Sequence, residues 1–214
     1  GQILGVGCSD PYGSGTNGNQ SGLGPRSQVN PSTGDFPYPF TAVNFSTVID
    51  RRLQVHESDL DPVANGGAIY LAEAQYITPD DAVAGNGNNN ASWRQCTVAG
   101  TPGAYTLGVA NATVAQHAAI EAWPVFDPAV TLQYIDVPDG RFIVARKIVN
   151  FGGGLQIVTF AVHNLNSERA CQSFQVNFPT GTQVLGSYFH DDDYHSGDPF
   201  SGADWTPSIA NASI

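Results

Sequence analysis

Three runs decide the reading of this chain. They are Val130-Thr131-Leu132-Gln133-Tyr134-Ile135-Asp136-Val137, Arg141-Phe142-Ile143-Val144-Ala145-Arg146-Lys147-Ile148-Val149-Asn150 and Leu155-Gln156-Ile157-Val158-Thr159-Phe160-Ala161-Val162-His163-Asn164. Each is rich in β-branched and aromatic residues, the types that fit a pleated surface. Pro138-Asp139-Gly140 separates the first two, and Gly152-Gly153-Gly154 the second and third. Such short glycine-bearing links are hairpin signals. Two further runs, Gln172 to Phe178 and Gln183 to His190, follow at similar spacing. Strands at intervals of about ten residues predict an all-β chain, an antiparallel sandwich of Ig-like or jelly-roll type.

Working outward, Ile49, Arg51, Leu53 and Val55 alternate with Asp50, Arg52, Gln54 and His56, which is strand spacing. Gly67 to Ile77, Trp93 to Val98 and Tyr105 to Val109 read as further strands, and Ile209 to Ile214 as a last one. Thr78-Pro79-Asp80-Asp81-Ala82-Val83-Ala84-Gly85 reads as one helical turn, with Thr78 as N-cap, Pro79 in the first position and Gly85 closing it. Residues 112–122 have the best helix propensity, although a strand ending at Ala122-Trp123 fits too. Pro124 and Pro128 are expected to stop either one. At most one or two short helices are expected. The sandwich domain is placed at 41–214, with a sub-boundary near 124–130.

Residues 1–40 read as an irregular arm, Gly-, Ser- and Asn-rich through Gly13 to Gly22. In Phe36-Pro37-Tyr38-Pro39-Phe40, two prolines force an extended path. Its three aromatics are expected to anchor the arm to the body.

The chain has 214 residues with 8 bases, 19 acids and a net charge of −11. Nucleic-acid backbones and anionic membranes need clustered Lys and Arg, so both are poor partners. No apolar run approaches the roughly 18 residues of a membrane span. Charged residues are only 13% of the chain, which argues against a typical cytosolic surface. No methionine occurs, even at position 1, as in a mature product whose signal segment has been removed. A trimmed chain would look the same. The expected location is secreted, extracellular or at the cell surface.

Of the three cysteines, Cys96 and Cys171 lie in or beside strand-like runs, and Cys8 lies in the arm. In an oxidising compartment a Cys96–Cys171 disulfide is the expected pairing, with Cys8 left over. Reduced packing cysteines are the alternative.

The runs Phe160 to Arg169 and Gln172 to Val176, the stretch Tyr188 to Asp198 and the opening Gly7 to Gly13 resemble segments of a group of exported bacterial proteins. That resemblance covers about half the chain. It implies export and an Ig-like β-sandwich, with no established activity and no catalytic residue carried over.

Two acidic loops are the densest chemistry. His190, Asp191, Asp192, Asp193, His195 and Asp198 form one, and Asp59 and Asp61 the second. Carboxylates at alternate positions near a turn can hold Ca²⁺, and histidines with acids can hold another divalent metal. Solvated loops in which Asp59 and Asp61 bind local backbone donors are the alternative. His117 and His163 read as structural. Trp93, Trp123 and Trp205 can form a sugar-stacking platform or simply pack. Sequons occur at Asn19, Asn44, Asn90, Asn111 and Asn211. No GxSxG, HExxH, phosphate-loop or dinucleotide signature is present.

The expected role is an extracellular structural or interaction module, a self-assembling surface or filament subunit with arm or strand exchange. The alternative is a secreted carbohydrate-active protein, a glycan-binding module or a hydrolase. The partners expected are copies of the chain, other surface proteins or glycan, with no nucleic acid and no membrane insertion.

Overall fold

The computed structural model describes residues 26–39, 55–192 and 201–209. Among these residues seven strands form two antiparallel sheets. The first comprises β1 (Tyr70–Gln75), β2 (Ala91–Ala99), β3 (Thr106–Val109) and the short β4 (Val114–Ala115), with β2 paired to the other three. The second is the meander β5 (Val130–Val137), β6 (Gly140–Gly152) and β7 (Leu155–Asn164). An all-β chain of antiparallel sheets is therefore present.

Among the described residues helical structure is confined to single turns: α1 (Glu57–Leu60), α2 (Pro79–Val83), α3 (Trp123–Phe126) and three 3₁₀ turns at Arg26–Gln28, Gly87–Asn89 and Ala119–Ala122. Three short α-helices among the described residues exceed the one or two expected. Thr78 caps α2 by accepting the Asp81 N–H, and Gly85 follows at φ 77°. That turn forms as the sequence reads. The stretch 112–122 instead splits into β4 and the Ala119–Ala122 turn. Pro124 does not stop a helix here but opens α3, because its missing N–H falls in the first turn, where none is needed.

The meander shows how one sheet acquires two unlike faces. Strand alternation puts Leu132, Ile143, Ala145 and Ala161 on one side, with Leu132↔Ala145↔Ala161 in register. This side meets the first sheet: Ile143, at 1% exposure, clusters with Ala91, Ala118 and Leu165. The opposite side carries the registers Ile135↔Phe142, Val144↔Val162 and Ile148↔Val158.

The β5–β6 turn is closed by a near approach of backbones. A side chain on Gly140 would stand 2.6 Å from the Ser167 nitrogen, so only hydrogen fits there. Asn166 Oδ1 accepts the Arg141 N–H at 2.8 Å, which holds the chain after β7 against that turn.

Two sequence expectations do not hold. Residues 172–178 and 183–190 are not strands. They have strand composition, yet neither joins a ladder with any described residue, and composition alone supplies no hydrogen-bonded neighbour. Phe36 and Tyr38 do not anchor the arm, being 52% and 85% exposed, and Phe40 lies outside the described residues. The described part of the arm is held instead at buried Gly34, whose backbone presses on Thr78 and Pro79. Of the other expected strands, residues 49–54 lie outside the described residues and Val55 is not in a strand. The Ile209–Ile214 strand lies outside them too, apart from Ile209.

Candidate functional site

Inward-facing polar residues hold the seam between the sheets. Glu73 and Gln75 stand in phase with Leu71 on β1 and are half-buried. Glu73 Oε2 accepts the Ala119 N–H at 2.6 Å, and its Oε1 lies 3.6 Å from His163 Nε2 on β7. Gln75 donates to the Leu165 carbonyl at 2.8 Å. Glu121 Oε2 accepts the Ala118 N–H at 2.7 Å, while its Oε1 accepts the Tyr134 hydroxyl at 2.5 Å and lies 3.4 Å from His117 Nδ1. Burial first, and the bond to Glu121 second, push the Tyr134 phenol up to about 12. Both carboxylates are thus committed to the backbone of one turn. Through these contacts Glu73 and Glu121 tie strands of both sheets to that turn. Nothing in the motifs flags these residues. A polar side chain in phase with apolar ones on an inward strand face was the available signal, because such a group needs a partner.

The other face of the meander is open. Ile135, Phe142, Val144 and Val162 line a cleft of about 360 Å³, closed on one side by Cys171 and Phe174. Phe174 packs edge-on against Phe160, with centroids 5.3 Å apart. Asp139 and Arg169 stand at the rim, 3.8 Å apart, and Asp139 Oδ1 is buried without a hydrogen-bond partner. Arg146 lies on this face between Thr131 and Phe160 in the register.

Beyond the cleft the β6–β7 hairpin carries Ile148, Phe151, Leu155 and Ile157, which are 37%, 60%, 51% and 54% exposed. From Ile148 to Ser167 no Asp, Glu, Lys or Arg occurs. Residues 130–170 hold four bases and three acids, against four bases and sixteen acids elsewhere. The meander is therefore close to neutral within an acidic chain.

Of the expected metal ligands, His190 Nδ1 lies 3.4 Å from Asp204 Oδ1, which also accepts the Asp191 N–H at 2.8 Å. Asp192 donates its N–H to Asp191 Oδ1. Asp193, His195 and Asp198 lie outside the described residues. Asp61 accepts the Val63 N–H at 2.8 Å in a local turn, and Asp59 Oδ1 accepts from the Ser58 hydroxyl at 3.3 Å. Among the described residues no group of three His, Cys, Asp or Glu side chains is arranged to hold a metal ion.

Cys96 and Cys171 do not form the expected disulfide; both are free thiols. Cys96 is buried inside β2 and directed at the Arg94 carbonyl, whereas Cys171 lines the cleft and is directed at the Ser173 carbonyl. Cys96 lies in the first sheet and Cys171 in the coil after β7, and each thiol points to its own local backbone. Cys8 is outside the described residues.

The tryptophans do not converge on one platform. Trp93 is buried against Phe126, and Trp123 is half-buried in α3. Trp205 is 39% exposed and stacks on Phe189 at 5.2 Å. Asn111 is exposed at φ 60°, with its amide donating to Gln95, and Asn90 is half-buried before β2. Asn19, Asn44 and Asn211 fall outside the described residues.

No helix among the described residues is long and apolar enough to cross a membrane. Comparison with known proteins finds no family model, no curated protein and no solved structure that matches this chain.

Proposed function

We propose that this chain is a non-catalytic extracellular interaction module that associates with further copies of itself through the meander β5–β7. The carrying observation is the uncharged hairpin from Ile148 to Ser167, with Phe151 and Leu155 more than half exposed. Apolar patches rimmed by polar residues mark association surfaces. A second copy is the occupant favoured by charge. The meander carries a slight excess of bases and the remainder a large excess of acids, so head-to-tail contact opposes unlike rather than like charge. The seam contacts support reading the two sheets as halves of a sandwich of Ig-like type. Residues around Gly34 fold on their own chain, so strand addition is favoured over exchange of the arm.

Sedimentation velocity over a concentration series tests this reading. The full chain is expected to sediment faster as its concentration rises. Phe151→Lys with Leu155→Glu should remain monomeric at every concentration. A wild-type chain that stays monomeric throughout sinks the proposal.

A second reading rests on Trp205. Its exposed stack on Phe189, beside Asp204 and His190, is the kind of aromatic and acid pairing that sugars use. Binding on a glycan array that Trp205→Ala abolishes would support it, and an array without signal would end it.

A further inference from the structure

We infer that residues 183–188 are the donor strand of that association, adding to the free edge of β7 in a second copy. The inference rests on the self-association proposed above and names the two surfaces that meet.

Three observations carry it. First, β7 is an outer strand of the order β5-β6-β7, and its far edge has no ladder partner among the described residues. Along its ten residues, the N–H and C=O groups of alternate residues face away from β6 and form a template for another strand. Proteins normally blunt such an edge with Lys, Pro or charge. From Leu155 to Asn164 there is none of these, whereas the opposite edge, β5, carries Asp136 and is flanked by Pro128 and Pro138.

Second, residues 183–188 are a strand sequence without a sheet. Val184 and Tyr188 belong to the types enriched in strands or at interfaces, yet the segment joins no strand. Leu185 is 74% and Tyr188 85% exposed. Phe189, stacked on Trp205, fixes the end of the segment to its own chain and leaves the residues before it presented outward.

Third, the charges fit. The donor run is followed by Asp191 and Asp192, and the acceptor sheet offers Arg146, whose guanidinium is exposed and meets no acid among the described residues. The other unladdered run, 172–178, is a poorer donor because its Phe174 is already packed on Phe160 of the same chain. A donor and an acceptor on different surfaces make a heterologous contact, which repeats head to tail rather than closing as a two-fold dimer. In such β-augmentation the backbone ladder gives affinity, and side chains directed onto the open face give specificity.

The experiment is a complementation test with full-length chains in sedimentation velocity. Leu185→Asp with Tyr188→Asp removes the donor. Ile157→Asp with Val162→Asp blocks the acceptor, at side chains 54% and 41% exposed. Each double variant alone is expected to associate at least about tenfold more weakly than wild type. Mixed in equal amounts, they should form a single heterodimer and nothing larger, because each keeps the surface the other lacks. Heterodimer formation also shows that both variants are folded. If wild type assembles but the donor variant assembles equally well, the donor assignment is wrong while self-association stands. If wild type assembles and the mixture forms no heterodimer, the pairing of these two surfaces is wrong. If wild type never assembles, both readings fall together.

Discussion

Tyr134 and Glu121 share the bond that ties the edge strand β5 to the turn closing the seam. The phenol donates to the carboxylate at 2.5 Å, and the other carboxylate oxygen holds the Ala118 N–H. Arg141 lies 5.4 Å from the ring centroid on the same face. The neutral phenol is the stabilised form, since its pKa rises from 10.0 to about 12. Its contribution is therefore complete below pH 10 and is lost as the pH climbs toward 12. Tyr134→Phe should cost about 1 kcal/mol near neutrality, the ordinary loss for one partly exposed hydrogen bond. The deficit should shrink as pH rises between those limits, where wild type loses stability that the variant never had. Urea unfolding in steps from neutrality to alkaline pH measures both.

Lys147, the single lysine of the chain, pairs with Asp127 at 2.5 Å. The ammonium hydrogen bond first, and the Ala129 N–H second, hold the Asp127 carboxyl below its ordinary 3.8. A lowered carboxyl contributes stability above the unfolded value and loses it as the pH falls through the folded one. Asp127→Asn should lower the melting temperature at neutral pH. Below both values the variant and wild type should melt together. Added salt should narrow the neutral-pH gap, because the pair is partly open to solvent. A gap that survives at low pH would mean that the side chain acts through packing instead.

How much of this was legible in the sequence depends on range. The turn from Thr78 to Gly85 is written locally, since the cap, the proline and the closing glycine each satisfy a backbone need within a few residues. The meander is equally legible because glycine turns fix adjacent registers. Residues 172–190 show where pattern stops. Alternation and β-branching make a segment competent to pair, but the partner edge is a tertiary fact. The Cys96–Cys171 pairing is open to the same limit: Cys96 sits in β2, whereas Cys171 joins no strand, and both thiols are free. Glu73 and Glu121 were invisible as a site because they stand on separate elements with no motif between them. What links them is the shared turn at Ala118 and Ala119.

Ile143 is the point where the sheets meet, packed with Ala91, Ala118 and Leu165 at 1% exposure. Ala91 and Ala118 have almost no side chain with which to fill a void. Ile143→Ala should therefore leave most of its cavity open and cost about 3 to 4 kcal/mol, the middle to upper part of the usual range. Val144, one residue away on the opposite face, lines the open cleft. Val144→Ala should cost roughly half as much, since the cleft can already admit water. Chemical denaturation of the two variants checks the order. Equal losses would show that the open face is as tightly packed as the seam.

The two described thiols give a test of the open cleft that needs no mutation. Cys96 is 6% exposed within β2, and Cys171 lines the cleft beside Phe174. An aromatic disulfide reagent should label Cys171 in the native protein. Cys96 should react only after denaturant is added, because the thiolate must be reached before it can attack. Peptide mapping identifies the labelled position. Labelling at Cys171 should also slow when the chain is concentrated, provided that association covers the open face. A non-reducing mass that shows Cys96 joined to Cys171 would require β2 and the segment after β7 to lie side by side, and the cleft would then have to be redrawn.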